Sequence, residues 1–237
     1  AAAVITGLRQ ALVVDEMAAQ LRYSNMMEYY TLWAHQIKTP LAAMRLTLAG
    51  EDSDVARTLG VELARTERYA DMVMTYLRLD DAKGDYVFRE TAVDPLVREE
   101  VKRFSGEFIA KHLTVDIAES GIVTVTDAKW LSFVLEQLLS NALKYTHTGG
   151  VRILSPAPGK LSVADSGIGI SPEDLPRIFE RGYTGGSGRT DAHSSGIGLY
   201  LCRRVCDLLG VGLAATSTVG VGTTVTLDFT QKRPRFE

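Results

Sequence analysis

Apolar residues recur at helical spacing in two long stretches at the start of the chain. From residue 5 to residue 49 they fall every three or four positions, and the first proline of the chain is Pro40. A polar break at residues 50–54 precedes a second stretch, from about Asp54 to Leu79, with the same spacing. This pattern predicts two amphipathic helices joined by a short turn, which is an antiparallel helical hairpin. In the second helix, the predicted apolar side consists of Val55, Leu59, Leu63, Ala70, Val73 and Leu77.

A hairpin of two helices buries only one stripe of each helix. Much of its apolar seam would therefore stay exposed to water in a single copy. Pairing two copies into a four-helix bundle covers that seam. The pattern thus favours a homodimer.

A polar segment, residues 80–85, separates the hairpin from a region of shorter elements. The strands predicted there are residues 86–88, 113–115, 122–126, 151–154, 161–164, 213–218 and 223–229. The predicted helices begin with Asp94 as N-cap, run from Asp127 to about Tyr145, and run from about Ile197 to Leu209. The predicted fold class is α+β: a long antiparallel helical hairpin in residues 1–81, followed by an α/β-layer sandwich in residues 82–237.

The composition is that of a folded protein, and the charge excludes one class of partner. Hydrophobic residues make up 46% of the 237 residues and charged residues 23%, which argues against disorder. The net charge of −3, from 26 basic and 29 acidic residues, gives no sign of a surface that binds nucleic acid. Cys202 and Cys206 lie on one face of a predicted helix, and we expect both to be core residues.

No stretch of the sequence reaches the roughly 18 apolar residues of a membrane span. The first eight residues are apolar but have no basic segment before them, so we do not expect a signal peptide. An alanine-rich start without Met is typical of a piece of a longer protein. The sequence therefore leaves open whether a membrane segment lies upstream of residue 1.

Two segments of the second region carry side chains that suit a nucleotide. Asn141 and Lys144 share one face of a predicted helix, where an amide oxygen can ligate Mg²⁺ and an ammonium can neutralise phosphate. A plain polar helix face gives the same pattern. Asp165 directly follows a strand and precedes Gly167 and Gly169. A carboxylate there can accept from an exocyclic amine, and glycine lets the backbone approach a ring or a phosphate; a simple turn is the alternative.

A glycine-rich loop follows, at residues 182–195. It shows no apolar periodicity, and structureless loops of this length are usually functional or disordered. The loop leads into a helix that starts with Ser-Ser-Gly-Ile-Gly-Leu at residues 194–199. Backbone N–H groups at a glycine-rich helix start can bind an anion. The last segment, residues 219–225, by itself indicates only a tight turn between strands.

In this order, the segments resemble the N, G1, F, G2 and G3 boxes of the ATP-binding domain shared by gyrase, the ninety-kilodalton heat-shock chaperone, histidine kinases and mismatch-repair ATPases. The F box corresponds to Phe-Glu-Arg-Gly-Tyr at residues 179–183. The resemblance implies that this domain binds ATP and Mg²⁺, with Asn141 as the metal ligand. The residues that it places around the nucleotide are Asn141, Lys144, Tyr145, Asp165, Gly167, Gly169, Arg181, Arg189, Ser195, Gly196, Gly198, Leu199 and Thr223.

A motif in the first helix decides among these relatives. Residues 33–41 read Trp-Ala-His-Gln-Ile-Lys-Thr-Pro-Leu and resemble the H box of a sensor histidine kinase. His35 lies two residues from both Trp33 and Ile37, about 200° around the helix from each, so its imidazole is predicted to face solvent. The resemblance implies that His35 accepts the γ-phosphoryl group of ATP at Nε2 and passes it to an aspartate of a response regulator.

Thr39 and Pro40 follow one helical turn later. Thr39 lies on the exposed face of His35 and resembles the threonine that histidine kinases use to dephosphorylate their regulator. Pro40 cannot donate to the carbonyl of Gln36, and an interior proline costs a helix around 3 kcal/mol. We therefore expect the helix to bend beside the histidine.

The chain departs from the family pattern at two positions. Histidine kinases usually carry Glu or Asp after the phosphoacceptor, but here the residue is Gln36, whose amide can orient the imidazole and cannot take a proton. The position four before Asn141 is often Asn in histidine kinases and is Gln137 here. Hydrolysing relatives carry a glutamate base there. Its absence argues against the main alternative, an ATP-driven conformational ATPase of the gyrase type without phosphohistidine.

Two phrases, within residues 35–40 and 185–201, are most similar to kinases of the bacitracin-resistance, intramembrane-sensing type. This likeness implies the cytoplasmic portion of a bacterial membrane sensor, with a short membrane region upstream of residue 1. Residues 1–81 would be the dimerisation and phosphoacceptor hairpin, and residues 82–237 the catalytic ATP-binding domain. The implied partners are a second copy of the chain and the receiver domain of a response regulator, with no nucleic acid.

Overall fold

The structure, a computed structural model, describes residues 2–79, 86–185 and 196–230. The chain divides into two compact units, residues 1–82 and 83–237. The first unit contains helices α1 (Ala2–Ala49) and α2 (Asp54–Leu79). The second unit combines helices with strands.

Ion pairs show that α1 and α2 are antiparallel. Lys38 pairs with Asp71, and Arg45 pairs with Glu67 at 3.5 Å, so the numbers rise along one helix as they fall along the other. Pro40 lies inside α1 and does not end it. The predicted hairpin is therefore confirmed.

Helix α1 is much longer than its partner. Its 48 residues correspond to about 72 Å, and the 26 residues of α2 to about 39 Å. Helix α2 can therefore lie along only the second half of α1. Apolar side chains of the first half, such as Met17 and Leu21, are 69% and 64% exposed.

The side of α2 that packs on α1 differs in part from the predicted one. Leu63 is buried as expected, but Val55 and Leu59 are 68% and 53% exposed. Ala56 and Met74 are buried instead. Because apolar residues occur on more than one side of α2, their spacing alone does not tell which side packs against α1.

The second unit contains a five-stranded sheet with a helical layer and a separate two-stranded sheet. Its strands are β1 (Arg89–Ala92), β2 (Thr114–Ile117), β3 (Val123–Thr126), β4 (Gly150–Leu154), β5 (Lys160–Asp165), β6 (Gly212–Thr218) and β7 (Gly222–Asp228). Its helices are α3 (Val93–Arg103), α4 (Ser105–Ala110), α5 (Ala128–Tyr145) and α6 (Gly198–Leu209), with a 3₁₀ turn at Leu175–Arg177. The large sheet has the order β2-β4-β5-β7-β6, in which β2 and β4 are parallel and the other neighbours antiparallel. Strands β1 and β3 form the small antiparallel sheet.

The core of the second unit lies between the five-stranded sheet and the helices. Alternate strand residues, among them Val151, Ile153, Leu161 and Leu227, are almost fully buried, as expected for a sheet with one face packed against helices. Helix α5 lies at the centre of the layer and buries ten of its residues. This arrangement confirms the predicted α+β layer sandwich.

Cys202 and Cys206 lie in α6 and are completely buried, with free thiols. Burial raises the pKa of both thiols, and that of Cys206 reaches about 12. The prediction that they are core residues is confirmed.

The predicted cap of the first short helix was wrong. Helix α3 begins after Ala92, and no side chain caps it. The Asp94 carboxylate instead accepts from the backbone N–H groups of Ser120 and Gly121, at 3.0 and 2.9 Å. A tertiary contact thus outweighs the local capping preference.

The first predicted strand is displaced by three residues. Residues 86–88 are not in a strand, and β1 begins at Arg89. The Tyr86 ring packs against Trp130 of α5 with the ring centroids 5.5 Å apart. Tyr86 therefore packs against a helix and does not pair in a strand, while Val87 beside it is 49% exposed.

Candidate functional site

Helix α5 fixes the position of three predicted site residues. Its N-terminus is capped by Asp127, which accepts from the backbone N–H groups of Lys129 and Trp130 at 2.9 and 3.2 Å, as predicted. One side of the helix is buried in the core.

Asn141, Lys144 and Tyr145 lie half-buried at the carboxyl end of α5. The Asn141 amide nitrogen, Nδ2, is buried and has no hydrogen-bond partner among the described residues. Leaving a buried polar group unpaired costs about 1–3 kcal/mol. Because Nδ2 is a hydrogen-bond donor, it fits an acceptor on a ligand, such as a phosphate oxygen, whereas Mg²⁺ would have to bind the amide oxygen. The prediction that Asn141 holds Mg²⁺ stays a prediction.

Asp165 ends strand β5 with a carboxylate that is only partly used. Its Oδ1 accepts from the backbone N–H groups of Gly167 and Thr223 at 2.8 and 3.2 Å. Its Oδ2 accepts no hydrogen bond from the described residues. Burial raises the pKa of this carboxyl, although the two N–H groups act to lower it. One oxygen is thus fixed in place by the backbone, and the other is available to a donor on a ligand.

The glycines after Asp165 allow close backbone contacts. A Cβ atom on Gly167 would lie 2.5 Å from the carbonyl oxygen of Tyr145, and one on Gly169, where φ is +70°, would overlap the carbonyl of Thr218. The Ile168 N–H also donates to the Tyr145 carbonyl at 3.2 Å. The end of α5 and the segment after β5 are therefore in direct contact, so Asn141 and Asp165 belong to one region.

The start of α6 closes this region. A Cβ atom on Gly198, the first residue of α6, would lie 2.7 Å from Oε1 of Gln137, which is one turn before Asn141 on α5. Gly196 has a φ of +65°, and its carbonyl accepts from the Gly182 N–H at 3.0 Å. The N–H groups at a helix start attract anions. Gly196, Gly198 and the half-buried Leu199 lie at this helix start, and their predicted role in binding phosphate stays a prediction.

The loop from Gly182 to Gly196 is only partly described, up to residue 185 and again from residue 196. Arg181 is exposed at its beginning. The predicted site residues Arg189 and Ser195 lie outside the described residues.

Sequence reasoning missed Ser217, which lies opposite Thr223 in the β6–β7 pair. Val151 pairs with Asp165 across β4 and β5, and the Thr223 N–H donates to Asp165. Asp165, Thr223 and Ser217 therefore form one row across β5, β7 and β6. Val151 is 1% exposed, which identifies this as the face covered by helices. The hairpin register was the signal that could have found Ser217.

The predicted residues of the first unit lie on one exposed part of α1. His35, Gln36 and Thr39 are all exposed, and none of the described residues hydrogen-bonds to the His35 imidazole. The exposure of His35 agrees with the prediction from helical spacing. An imidazole without a partner is available to react at either ring nitrogen.

Comparison with known proteins assigns the family. Residues 126–233 match the family described as histidine kinase-, DNA gyrase B- and HSP90-like ATPase. The sensor protein BceS of Bacillus subtilis is 32% identical over 229 residues, which cover 95% of this chain and 69% of that protein. This chain belongs to the sensor histidine kinases. BceS of Halalkalibacterium halodurans is 40% identical over 203 residues, which cover 83% of this kinase chain and 60% of that protein. These relatives confirm the predicted likeness to the bacitracin-resistance type.

The kinase chain spans about 60 to 69% of the length of these two relatives. A crystal structure of full-length ShkA in complex with AMPPNP is similar in fold, with a TM-score of 0.58 and 22% sequence identity over 85% of this chain and 45% of ShkA. None of the helices in the described part of the kinase chain contains an apolar stretch of the length that a membrane span needs.

Proposed function

We propose that this chain is an ATP-dependent protein-histidine kinase that phosphorylates itself on His35. The observation that carries the proposal is the contact between the end of α5 and the segment after β5, because α5 carries the unpaired Asn141 amide nitrogen and β5 ends in Asp165 with an unused acceptor oxygen. These two groups suit the two ends of a nucleotide, an amine on the base and the charged phosphates. Membership of the sensor histidine kinases supports the same assignment.

The proposed nucleotide site uses the residues predicted from the sequence. Asp165 Oδ2 accepts from the adenine amine, and the backbone at Gly167 and Gly169 lies along the base. The Asn141 amide oxygen would hold Mg²⁺, which when bound would supply positive charge to the phosphates. The phosphates also meet Lys144 and the N–H groups at Gly196 and Gly198, and the remaining predicted ligands are Tyr145, Arg181, Arg189, Ser195, Leu199 and Thr223.

In the proposed reaction, His35 Nε2 attacks the γ-phosphorus. The bond from this phosphorus to the β,γ-bridging oxygen breaks, ADP leaves, and a phosphorus–nitrogen bond forms. Gln36 orients the imidazole through its amide but takes no proton, so the ring proton passes to water or to phosphate oxygen. Positioning and charge neutralisation then account for most of the catalysis.

The proposed partners follow from the hairpin and from the chemistry of phosphohistidine. The exposed apolar residues of α2, Val55 and Leu59 among them, fit a second copy of the hairpin in a four-helix bundle. The phosphoryl group passes to an aspartate on the receiver domain of a response regulator, and Thr39 assists the reverse dephosphorylation. We place residues 1–81 as the dimerisation and phosphoacceptor hairpin and residues 82–237 as the catalytic domain. In the cell, the chain is then the cytoplasmic portion of a membrane sensor.

The test is labelling with γ-labelled ATP and Mg²⁺. We expect label on the protein that survives alkali and is lost in acid, the behaviour of a phosphorus–nitrogen bond. His35→Gln should abolish labelling and leave nucleotide affinity unchanged, because His35 belongs to the other unit. His147→Gln, which removes another exposed histidine, is the matched control and should label normally. Full labelling of His35→Gln, or release of phosphate with no labelled protein, would contradict the proposal.

A further inference from the structure

The Ser217 hydroxyl links strand β6 to strand β7 and to the segment that follows Asp165. Its oxygen lies 2.8 Å from each of three groups: the backbone N–H of Ile170, the carbonyl oxygen of Gly222 and the hydroxyl of Thr223. Ile170 belongs to the segment after Asp165, and Gly222 begins β7. The side chain is half-buried, so these contacts are partly shielded from water.

Counting protons assigns a direction to each of these hydrogen bonds. A serine hydroxyl has one proton to donate and two lone pairs with which to accept. The Ile170 N–H can only donate, and the Gly222 carbonyl can only accept. These two bonds use the Ser217 proton and one of its lone pairs. All three bonds form together only if the Thr223 hydroxyl donates its own proton to the second lone pair of Ser217.

This assignment determines what Thr223 offers to a ligand. With its proton committed to Ser217, the Thr223 hydroxyl oxygen has only lone pairs left. Asp165 Oδ2, in the same row of the sheet, is also an acceptor. The helix-covered face therefore presents two acceptors and no side-chain donor along this row. A base edge with an amine satisfies them, and one with a carbonyl oxygen leaves them opposed to another acceptor.

We propose that Ser217 is a positioning residue that sets the base specificity of the nucleotide site. By accepting the Thr223 proton, it holds the Thr223 hydroxyl as an acceptor and so favours purines with an amine at position 6 over purines with a carbonyl there. The inference rests on the proposed nucleotide-binding function.

The test compares the affinities of ATP and ITP for the full chain by calorimetry, since these nucleotides differ at position 6 of the base. Ser217→Ala releases the Thr223 proton, which can then turn toward a carbonyl. The ratio of ATP to ITP affinity is expected to fall about 3- to 10-fold, the equivalent of one neutral hydrogen bond. Ser217→Thr keeps the hydroxyl and should keep the ratio within about twofold.

A double mutant isolates the role of the Thr223 proton. Thr223→Val removes the acceptor, so adding Ser217→Ala to it should leave the ratio unchanged. A purely structural Ser217 would weaken both nucleotides equally. Loss of affinity at a constant ratio therefore overturns the inference and leaves the proposed function intact, whereas a wild-type chain that binds neither nucleotide overturns both. If Ser217→Ala does not fold, Ser217→Cys gives the same test, because a thiol is only a weak hydrogen-bonding group; again the ratio should fall, and a constant ratio refutes the inference.

Discussion

Replacing Glu100 with Gln is expected to stabilise the second unit at neutral pH. Glu100 lies on α3 with none of its surface exposed. Burial raises the pKa of its carboxyl, and this effect outweighs the opposite pull of the Arg103 guanidinium and the Ser132 hydroxyl. Arg103 Nη1 is 3.4 Å from the carboxylate, but the arginine side chain is 58% exposed, so water screens the pair.

The sign of the pH dependence follows from the raised pKa. Above the ordinary pKa of 4.5, the folded state still holds the proton after the unfolded state has released it. The free energy of unfolding therefore falls as the pH rises toward the folded pKa, and the full penalty is present above that value. A buried and incompletely paired polar group costs about 1–3 kcal/mol. Because Arg103 offsets part of this cost, we expect Glu100→Gln to add about 1 kcal/mol at about pH 8, with the gain vanishing toward about pH 4.5.

Urea unfolding at about pH 5, 6.5 and 8 measures this difference. Fluorescence of Trp130, which is 7% exposed, reports the second unit when Trp33 of α1 is replaced with Phe in every variant. The matched control is Glu99→Gln, since Glu99 also pairs with Arg103, at 3.1 Å, but its side chain is 59% exposed. The control should change the free energy of unfolding by less than about 0.5 kcal/mol at every pH. A Glu100→Gln variant that is less stable than the wild type at about pH 8, or a difference that does not vary with pH, refutes the reasoning.

Three further substitutions test the site, the backbone and the reverse reaction. Asp165→Asn should lower ATP affinity about 5- to 150-fold, because its oxygen must still serve the two backbone N–H groups and its NH₂ then faces the adenine amine; unchanged affinity by calorimetry contradicts the placement of adenine at Asp165. His112→Gly should raise the free energy of unfolding by about 0.5–1 kcal/mol, because His112 has a φ of +54°. Urea unfolding measures this gain, and His112→Ala, which keeps the Cβ, should show none. Thr39→Ala should keep autophosphorylation within several-fold and lose phosphatase action on the phosphorylated regulator. If both activities fall together, Thr39 has a structural role.

Periodicity and capping chemistry were enough to predict most elements. Spacings of three and four residues predicted both long helices, and α2 begins and ends where the pattern does, at Asp54 and Leu79. Asp127 was correctly predicted as the cap of α5 because an N-cap acts on N–H groups only two and three residues away. Helices and caps that depend on neighbouring residues can therefore be predicted from the sequence.

The errors and omissions concern contacts between distant residues. Asp94 is a residue type that often caps helices, but its partners, Ser120 and Gly121, are more than 25 residues away. The register of the β6–β7 hairpin sets Ser217 opposite Thr223 and could have been predicted, but the hydrogen bond that Ser217 accepts from Ile170 joins residues 47 positions apart. No local pattern carries that information.

The buried thiols of α6 allow the opening of the site to be measured by chemical labelling, with no cysteine introduced by mutation. Alkylating reagents attack thiolates, so a pKa of about 12 at Cys206 and complete burial both protect the folded chain from modification. The two thiols can be labelled only after α6 has separated from the sheet. If α6 returns to the sheet faster than the reagent reacts, the labelling rate is proportional to the population of the open form. Because α6 begins at Gly198, a nucleotide held at the helix start should slow the labelling of Cys202 and Cys206. Mass spectrometry of the two cysteines would then measure the population of the form in which α6 has left the sheet.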